Sequence, residues 1–456
     1  MKRRAFLASL IAALAAFPAR AQSYLPFTVP VGTFPLSVHA SGRYLVTAGG
    51  TPFFVHGDVA WAIVAQLTNA ECDQYVDDRA AKGVNLVLLS APEPAFTSQT
   101  PQYNNVDGVA PFGTMSPVDW TDPVEAYWLR VDRVVNRCKA NGMVVLFTPA
   151  YSAYTGQEAF GWYNQILATS DADLQTYGAF LANRYTQGNV IWNLGGDMDD
   201  NATIRNKQWN IVTGLRSVRT TDVITAHHVQ PGGGADSYTY WGGGGYPGYS
   251  LNWVYGWESL GDYVYELTPL AYTRSIPFLG AEFQYEGEPN PAINAAQLRR
   301  QSYGAILGGG CGQIFGNSPI WHFESSRAPY PYSGTWESNL NSTGSVQQQY
   351  VKALFTAYEW WKIEPKTDSS LVTTSLGTNA SRLYPARASD GSFAMIYTPS
   401  VNFTVAMTQL APSSVRGRWY NPADGTYAAA SGSPFANSGT QAFTAPGERV
   451  LVLDAA

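Results

Sequence analysis

The sequence predicts an α/β chain, a (β/α)8 barrel of the TIM type followed by a small all-β sandwich domain. Three observations carry that expectation. Between Phe53 and Trp361, short apolar runs alternate with segments whose apolar residues recur at helical spacing, and the alternation reads as eight strand–helix units. Met143–Phe147 is apolar at every position, and Val84–Leu89 and Val190–Leu194 nearly so, as strands covered on both faces must be. After Glu364-Pro365 the pattern changes to short alternating segments broken by turns such as Asp390-Gly391 and Asp424-Gly425.

In order, residues 22–52 read as an extended entry segment with turns at Ala40-Ser41-Gly42 and Gly49-Gly50. Phe53–Gly57 is the first strand, and Thr68 or Asn69 caps a helix that glycine ends at Lys82-Gly83. Val84–Leu89 is the second strand, and a loop rich in Pro, Asn and Gly follows from Ser90 to Trp120. Thr121-Asp122-Pro123 reads as a helix start, with a capping candidate and a proline in the first turn. Trp128, Val131, Val134 and Val135 share its apolar face, and Asn141-Gly142 ends it. Met143–Phe147, Val190–Leu194, Val223–His227, Leu251–Tyr255, Phe278–Glu282 and Gln313–Phe315 supply the third to eighth strands. Helices are expected from Ser170-Asp171 to Gly188, over 203–219, and at Tyr263–Tyr272, Ala292–Leu307 and Val346–Trp361. The last module has candidate strands at Leu383–Ala386, Phe393–Tyr397, Phe403–Met407, Val415–Tyr420 and Val450–Leu453. With no low-complexity linker before it, this module is expected to pack directly on the barrel and brace it.

A length of 456 residues suits one barrel plus a smaller module: a leader at 1–21, a barrel unit at 22–365 and a β-module at 366–456. The leader has the form of an export signal, with Lys2-Arg3-Arg4, an apolar stretch from Ala5 to Phe17, and Ala19-Arg20-Ala21 at the cleavage position. Arg3-Arg4-Ala5-Phe6-Leu7 also resembles a twin-arginine signal, and the apolar stretch is too short to span a bilayer. The mature protein is therefore expected in the periplasm or outside the cell, with no membrane span. Charged residues make up 14 % of the chain, against about 25 % in average proteins. The net charge of -6 leaves no basic footprint for nucleic acid. Aromatics reach 14 %, with 14 Trp and 28 Tyr, a composition that suits sugar faces as well as cores. The three cysteines, Cys72, Cys138 and Cys311, are too widely spaced for a disulfide framework or a CxxC metal site and read as buried thiols, with one disulfide left open.

Barrel sites lie at the C-terminal ends of the strands, which turns the strand reading into a list of cavity residues. The first strand offers His56, Asp58 and Trp61. The fourth offers Asp197 and Asp199, the fifth His227 and His228, the seventh Glu282 and Tyr285, and the eighth Asn317, Trp321 and His322. Two carboxylates, Asp197 and Glu282, each follow an apolar strand, an arrangement that suits glycoside cleavage. One carboxyl protonates the leaving oxygen while the other attacks the anomeric carbon or activates water. The competing roles are structural: a paired buried acid at Glu282, and a helix cap at Asp197 shared with Asp199, Asp200 and Asn201. Glu286 and Glu288 read as solvated loop acids.

Other chemistries find little support. Asp197-Met198-Asp199-Asp200 resembles the start of a calcium loop but lacks its glycine and closing glutamate. Adjacent His227 and His228 would face opposite ways on a strand, so no metal is expected. No GxGxxG opens a helix after the first strand, and no G-x-S-x-G elbow stands at a strand–helix turn. The glycines at 232–234 and 242–245 lack the lysine and hydroxyl of a phosphate loop. No cofactor is expected.

Phe53–Trp61 (FFVHGDVAW), Asn193-Leu194-Gly195-Gly196-Asp197, Gly280-Ala281-Glu282, Arg418-Trp419-Tyr420-Asn421-Pro422 and Val450–Leu453 together resemble the apiosidase-like glycoside hydrolases of family 140. The resemblance covers nearly the whole mature chain. It implies a (β/α)8 barrel followed by a β-sandwich, and retaining hydrolysis with an acid/base aspartate at Asp197 and a glutamate nucleophile at Glu282. Known substrates of the family include apiose-capped side chains of rhamnogalacturonan II, whereas the loops at 91–120, 229–250 and 317–343 are where this chain could depart. The expectation is an exported retaining hydrolase acting on a side chain of a plant or microbial polysaccharide. A furanoside substrate such as an arabinofuranoside, or a barrel that only binds carbohydrate, are the alternatives.

Overall fold

The computed structural model describes residues 32–456 except 95, 199–200, 227–235, 243–244, 257–262, 289–291, 325–331 and 333. Eight parallel strands close into a barrel: β1 (Val55–Val59), β2 (Leu86–Ser90), β3 (Val144–Thr148), β4 (Val190–Leu194), β5 (Ile224–Ala226), β6 (Tyr249–Gly256), β7 (Phe278–Phe283) and β8 (Gly312–Phe315). Each pairs with its sequence neighbours, and β8 closes the ring onto β1 through Gly312↔Val55 to Phe315↔Asp58. Around it stand α1 (Asn69–Ala81), α2 (Glu125–Ala140), α3 (Asp171–Arg184), α4 (Ala202–Val218), α5 (Tyr263–Thr273), α6 (Ala295–Leu307) and α7 (Thr343–Thr356). No described helix is long and apolar enough to cross a membrane.

The pleat sorts each strand's residues into two cores. Leu86 and Leu88, Val144 and Leu146, and Ile191 pack together inside the barrel. Their neighbours Val87 and Leu89, Val145 and Phe147, and Trp192 pack outward against the helices. Both faces are buried, which is why the strands read as nearly continuous apolar runs.

Local capping chemistry sets most helix starts. Thr68 and Glu71 form a reciprocal capping box on α1, the Glu71 carboxylate accepting from the Thr68 amide at 2.7 Å. The Ser170 hydroxyl accepts from the Asp173 amide at 3.1 Å. The expected start of α2 needs correction, since the helix begins at Glu125 after an uncapped Val124. Asp119 takes the Thr121 amide and hydroxyl, and Pro123 bridges to Phe112, so the chain stays extended three residues longer than the capping reading implied. The fifth unit is the irregular one, with a loop expected between its strand and the next. Between β5 and β6 the described residues hold only one short helix, Tyr238–Trp241.

Beyond the barrel the chain forms an antiparallel sheet in the order β9 (Ile363–Pro365), β10 (Tyr384–Ala388), β11 (Ala394–Thr398), β17 (Arg449–Ala455), β13 (Ser414–Tyr420), β14 (Tyr427–Ala429), with β15 (Phe435–Ala436) also on β13. The hairpin of β12 (Phe403–Ala406) and β16 (Thr440–Phe443) forms a second, two-stranded sheet. The two-residue period is plain on β17. Leu451 and Leu453 join the module's own core with Phe403 and Trp419, while Val450 and Val452 join the core shared with the barrel. Stacked tyrosines build that joint: Tyr265 of α5 on Tyr384 at 4.5 Å, and Tyr384 on Tyr397 at 5.2 Å. The Tyr265 hydroxyl donates to the Pro385 carbonyl at 3.1 Å, and Arg299 pairs with Glu448.

Candidate active site

The tip of β4 turns through three successive residues at positive φ: Gly195 at +79°, Gly196 at +104° and Asp197 at +29°. Only glycine adopts the middle conformation cheaply, and a Cβ on Gly196 would lie 2.3 Å from Tyr151 Cδ2. The missing side chain lets the Tyr151 ring pack directly against the turn. From there its hydroxyl donates to Asp197 Oδ2 at 2.9 Å. The turn is also tied to the chain after β3, since the Ser152 and Ala153 amides donate to the Gly195 and Gly196 carbonyls at 3.2 Å each. Gly196→Ala is expected to cost about 1–3 kcal/mol of unfolding free energy and to displace Tyr151 from Asp197. Denaturant unfolding checks the first effect, and turnover of the purified variant checks the second.

The tip of β7 uses a different device. Gly280 pairs with Val254 and Phe283 with Gly256, so Ala281 and Glu282 together oppose Tyr255. This is a bulge, which bends the strand and re-aims the side chain at the extra position. Glu282 sits there at φ +52°, half-buried, while Ala281 remains in the barrel core. The Tyr285 hydroxyl donates to Glu282 Oε1 at 3.1 Å, and the Trp61 indole donates in turn to the Tyr285 phenol.

Both tips open on one cavity of about 220 Å³, lined by Trp61, Phe96, Tyr151, Tyr154, Asp197, Tyr255, Glu282, Tyr285, Glu288 and Trp321. Its aromatic wall interlocks edge to face, with Tyr151 5.3 Å from both Trp61 and Phe96, and Phe96 4.9 Å from Trp321. The electrostatics tie the two acids together. Burial first, then the charges of Asp197 and Glu282, hold the phenols of Tyr151 and Tyr255 well above their ordinary range. Each of these phenols senses both carboxyls, so the acids share one field. Each phenol also stays protonated and able to donate.

Residues 39–362 match the family described as "Apiosidase-like, catalytic domain". The chain belongs to the apiosidase-like family. Residues 367–454 match a second description, "Putative collagen-binding domain of a collagenase". A solved structure titled "Glycoside hydrolase" superposes with a TM-score of 0.79 at 19 % identity, covering 94 % of this chain and 98 % of the other. A glycoside hydrolase family 5 structure from Bacteroides vulgatus gives 0.78 at 19 % identity, covering 94 % and 95 %. At such identity the two neighbours speak to the fold, and the family match carries the enzyme class: this apiosidase-like chain is a glycoside hydrolase. No curated protein matches the sequence.

In the apiosidase-like barrel, the strand-tip reading places Asp197, Glu282, Trp61, Tyr285 and Trp321 in the cavity wall. Four other candidates point elsewhere. His56 and Asp58 are on β1 but on the face that meets the helices, since Val55 and Val59 fill the interior. Asp58 there receives the Tyr75 hydroxyl at 3.0 Å and lies 3.2 Å from Arg79 Nε, with no exposure at all. Asn317 donates to Glu286 and Ser342, and His322 is buried beside Trp321 and Tyr332 without lining the cavity. Asp199, His227 and His228, with the glycines at 232–234, lie outside the described residues. Asn201 caps α4 through the Thr203 amide at 2.8 Å, so that task does not fall to Asp197.

Phe96, Tyr151, Tyr154, Tyr255 and Glu288 also line the cavity, beyond the residues the sequence points to. Tyr255 at the end of β6 and Tyr151 just past β3 are themselves at strand tips, and that position is the signal that marks them. Glu286 and Glu288 are not the solvated acids that the sequence suggests. Glu286 instead binds the start of α7, and Glu288 is buried in the cavity. Among the described residues, no group of three or more His, Cys, Asp or Glu could hold a metal. All three cysteines are free and buried, and burial pushes the Cys72 and Cys311 thiols up to about 12.

His56 supports a test of stability. Its Nδ1 faces Gln313 Nε2 at 3.2 Å, and burial, then the Lys352 charge, lowers its pKa from 6.5 to about 3. Because the folded value lies below the unfolded one, the stability it contributes is complete above pH 6.5 and is lost as pH falls toward 3. The expected slope is about 1.4 kcal/mol per pH unit in that window. His56→Gln should remove that component, as urea unfolding at stepped pH would show.

Proposed function

We propose that this apiosidase-like chain is an exported retaining hydrolase that removes a sugar from a plant or microbial polysaccharide side chain. The observation that supports it best is that Asp197 and Glu282, each accepting from a tyrosine hydroxyl, line one cavity. Asp197 protonates the glycosidic oxygen while a Glu282 oxygen attacks the anomeric carbon, breaking the C–O bond and forming a glycosyl ester. Asp197, now ionised, takes a proton from water as that water attacks the anomeric carbon and releases Glu282. The Tyr285 hydroxyl holds the Glu282 carboxylate in line, and the Tyr151 hydroxyl does the same for Asp197. No step calls for a metal or a cofactor.

The basic and apolar N-terminal segment favours export, and the apolar core shared between the barrel helices and the β-module favours a bracing role for the latter. The test is stereochemical. The protein is incubated with a panel of plant and microbial glycans and aryl glycosides, and the first-formed anomer is read by proton NMR. Retention of configuration is expected. A first product of opposite configuration would overturn the double displacement, and no release of sugar from any glycan would favour a barrel that only binds.

A further inference from the structure

The Tyr285 hydroxyl that donates to Glu282 is aimed from the segment just beyond β7, and other elements hold that segment at each residue. Gln301 of α6 grips Gln284: its side-chain oxygen accepts from the Gln284 amide at 3.1 Å, and its side-chain nitrogen donates to the Gln284 carbonyl at 3.2 Å. The Tyr285 ring packs on Gly316, just past β8, where a Cβ would lie 2.2 Å from Tyr285 Cδ1. Glu286 is bound through both its backbone and its side chain. Its amide donates to the Gly316 carbonyl at 3.0 Å, and its carbonyl accepts from the Ser318 amide at 2.7 Å. Its Oε1 accepts from the Gly344 amide at 2.7 Å. Its Oε2 accepts from the Ser342 hydroxyl at 2.6 Å, Asn317 Nδ2 at 3.0 Å and the Ser345 amide at 3.2 Å.

Gly344 and Ser345 open α7, where the amides lack carbonyl partners within the helix and form its positive end. Ser342 stands at the N-cap position, yet its side chain does not cap its own helix and donates to Glu286 instead. The cap of α7 is therefore a carboxylate supplied by the chain after β7, and its charge strengthens each bond it accepts. A Cβ on Gly344 would lie 2.7 Å from the Glu286 carboxyl, so glycine leaves the room this cap needs. A helix and the end of a barrel strand thus fix the residue next to Tyr285. We propose that Glu286 is a positioning residue for the reaction: by capping α7 it holds the Tyr285 hydroxyl on the carboxylate that attacks the anomeric carbon. The inference rests on the hydrolase reading above and adds the group that keeps its nucleophile aligned.

The test uses the full chain with E286Q, Y285F and the double variant. In E286Q one carboxylate oxygen becomes an NH2 group that faces donors already in place. The probe is the member of the glycan and 4-nitrophenyl glycoside panel that wild-type protein cleaves fastest. It is followed in single turnover with enzyme in excess, which separates bond cleavage from binding. E286Q should slow the maximal single-turnover rate by about 10–100-fold and change the half-saturating concentration by less than about threefold. Y285F should slow it comparably, and adding E286Q to Y285F should cost less than about twofold more, because both act through one hydrogen bond. A purely structural Glu286 would lower the melting temperature and leave the rate of the folded protein intact. G344A, whose methyl displaces the carboxylate and keeps its charge, replaces E286Q if melting shows E286Q to be unfolded, and should give the same loss. A wild-type rate in the folded variant overturns the proposal, as do losses that multiply in the double variant or a loss confined to half-saturation. A wild-type rate in Y285F also overturns it while leaving the hydrolase standing. A wild type inactive on every glycan and glycoside removes the hydrolase reading, and the proposal with it.

Discussion

Glu282→Ala is expected to lower kcat by about 10⁴-fold or more, a loss of about 5–6 kcal/mol of transition-state stabilisation. Without a nucleophile, water must attack directly from a position the cavity was not built to hold. The backbone should tolerate the change, because alanine inherits the φ of +52° that glutamate already adopts at the bulge. Tyr285 loses one partner and keeps the Trp61 indole. A small anion such as azide fits the space left by the carboxylate. It should restore part of the turnover of an aryl glycoside and give a glycosyl azide of inverted configuration. Steady-state kinetics with and without azide checks this, and full activity without azide would sink the nucleophile assignment.

Asp197→Ala is expected to cost about 10²–10⁴-fold in kcat on a glycan, the range for losing a positioned proton donor. The loss should depend on the leaving group. A nitrophenolate departs with little protonation, so the first step on an aryl glycoside should survive, while hydrolysis of the glycosyl ester slows for want of a base. A burst of nitrophenol followed by slow turnover is the expected trace in stopped flow. Equal losses on the glycan and the aryl glycoside, with no burst, would count against Asp197 as the acid/base.

How much of this was legible before the fold was known depends on which kind of information each residue needed. Asp197 and Glu282 were reachable because an acid just after an apolar run marks a strand tip, and a barrel gathers its tips at one mouth. His56 and Asp58 failed the same rule for a definite reason. His56 and Asp58 share the polar parity of β1, but all five of its residues are buried, and the polar face is the one that meets the helices, so composition does not say which face lines the cavity. Pairing with β2 and β8 settles it, leaving Val55 and Val59 inside. Glu286 and Glu288 failed differently. Both look like loop acids, and only contact with α7, more than fifty residues on, makes the first an anchor and the second a cavity wall.

The amino-acid sequence was sufficient for the alternation of strands and helices, the all-β character of the last module, and the two acids at the ends of β4 and β7. Each of these is local, set by periodicity, capping chemistry and turn residues within about ten positions. The folded chain alone supplied the rest: the bulge that turns Glu282 inward, the close packing of Tyr151 on Gly196 that gives Asp197 its phenol, and the burial of Glu288. These depend on register and on groups distant in sequence. A one-residue shift between β6 and β7 would leave every propensity unchanged and would aim Glu282 at the helices.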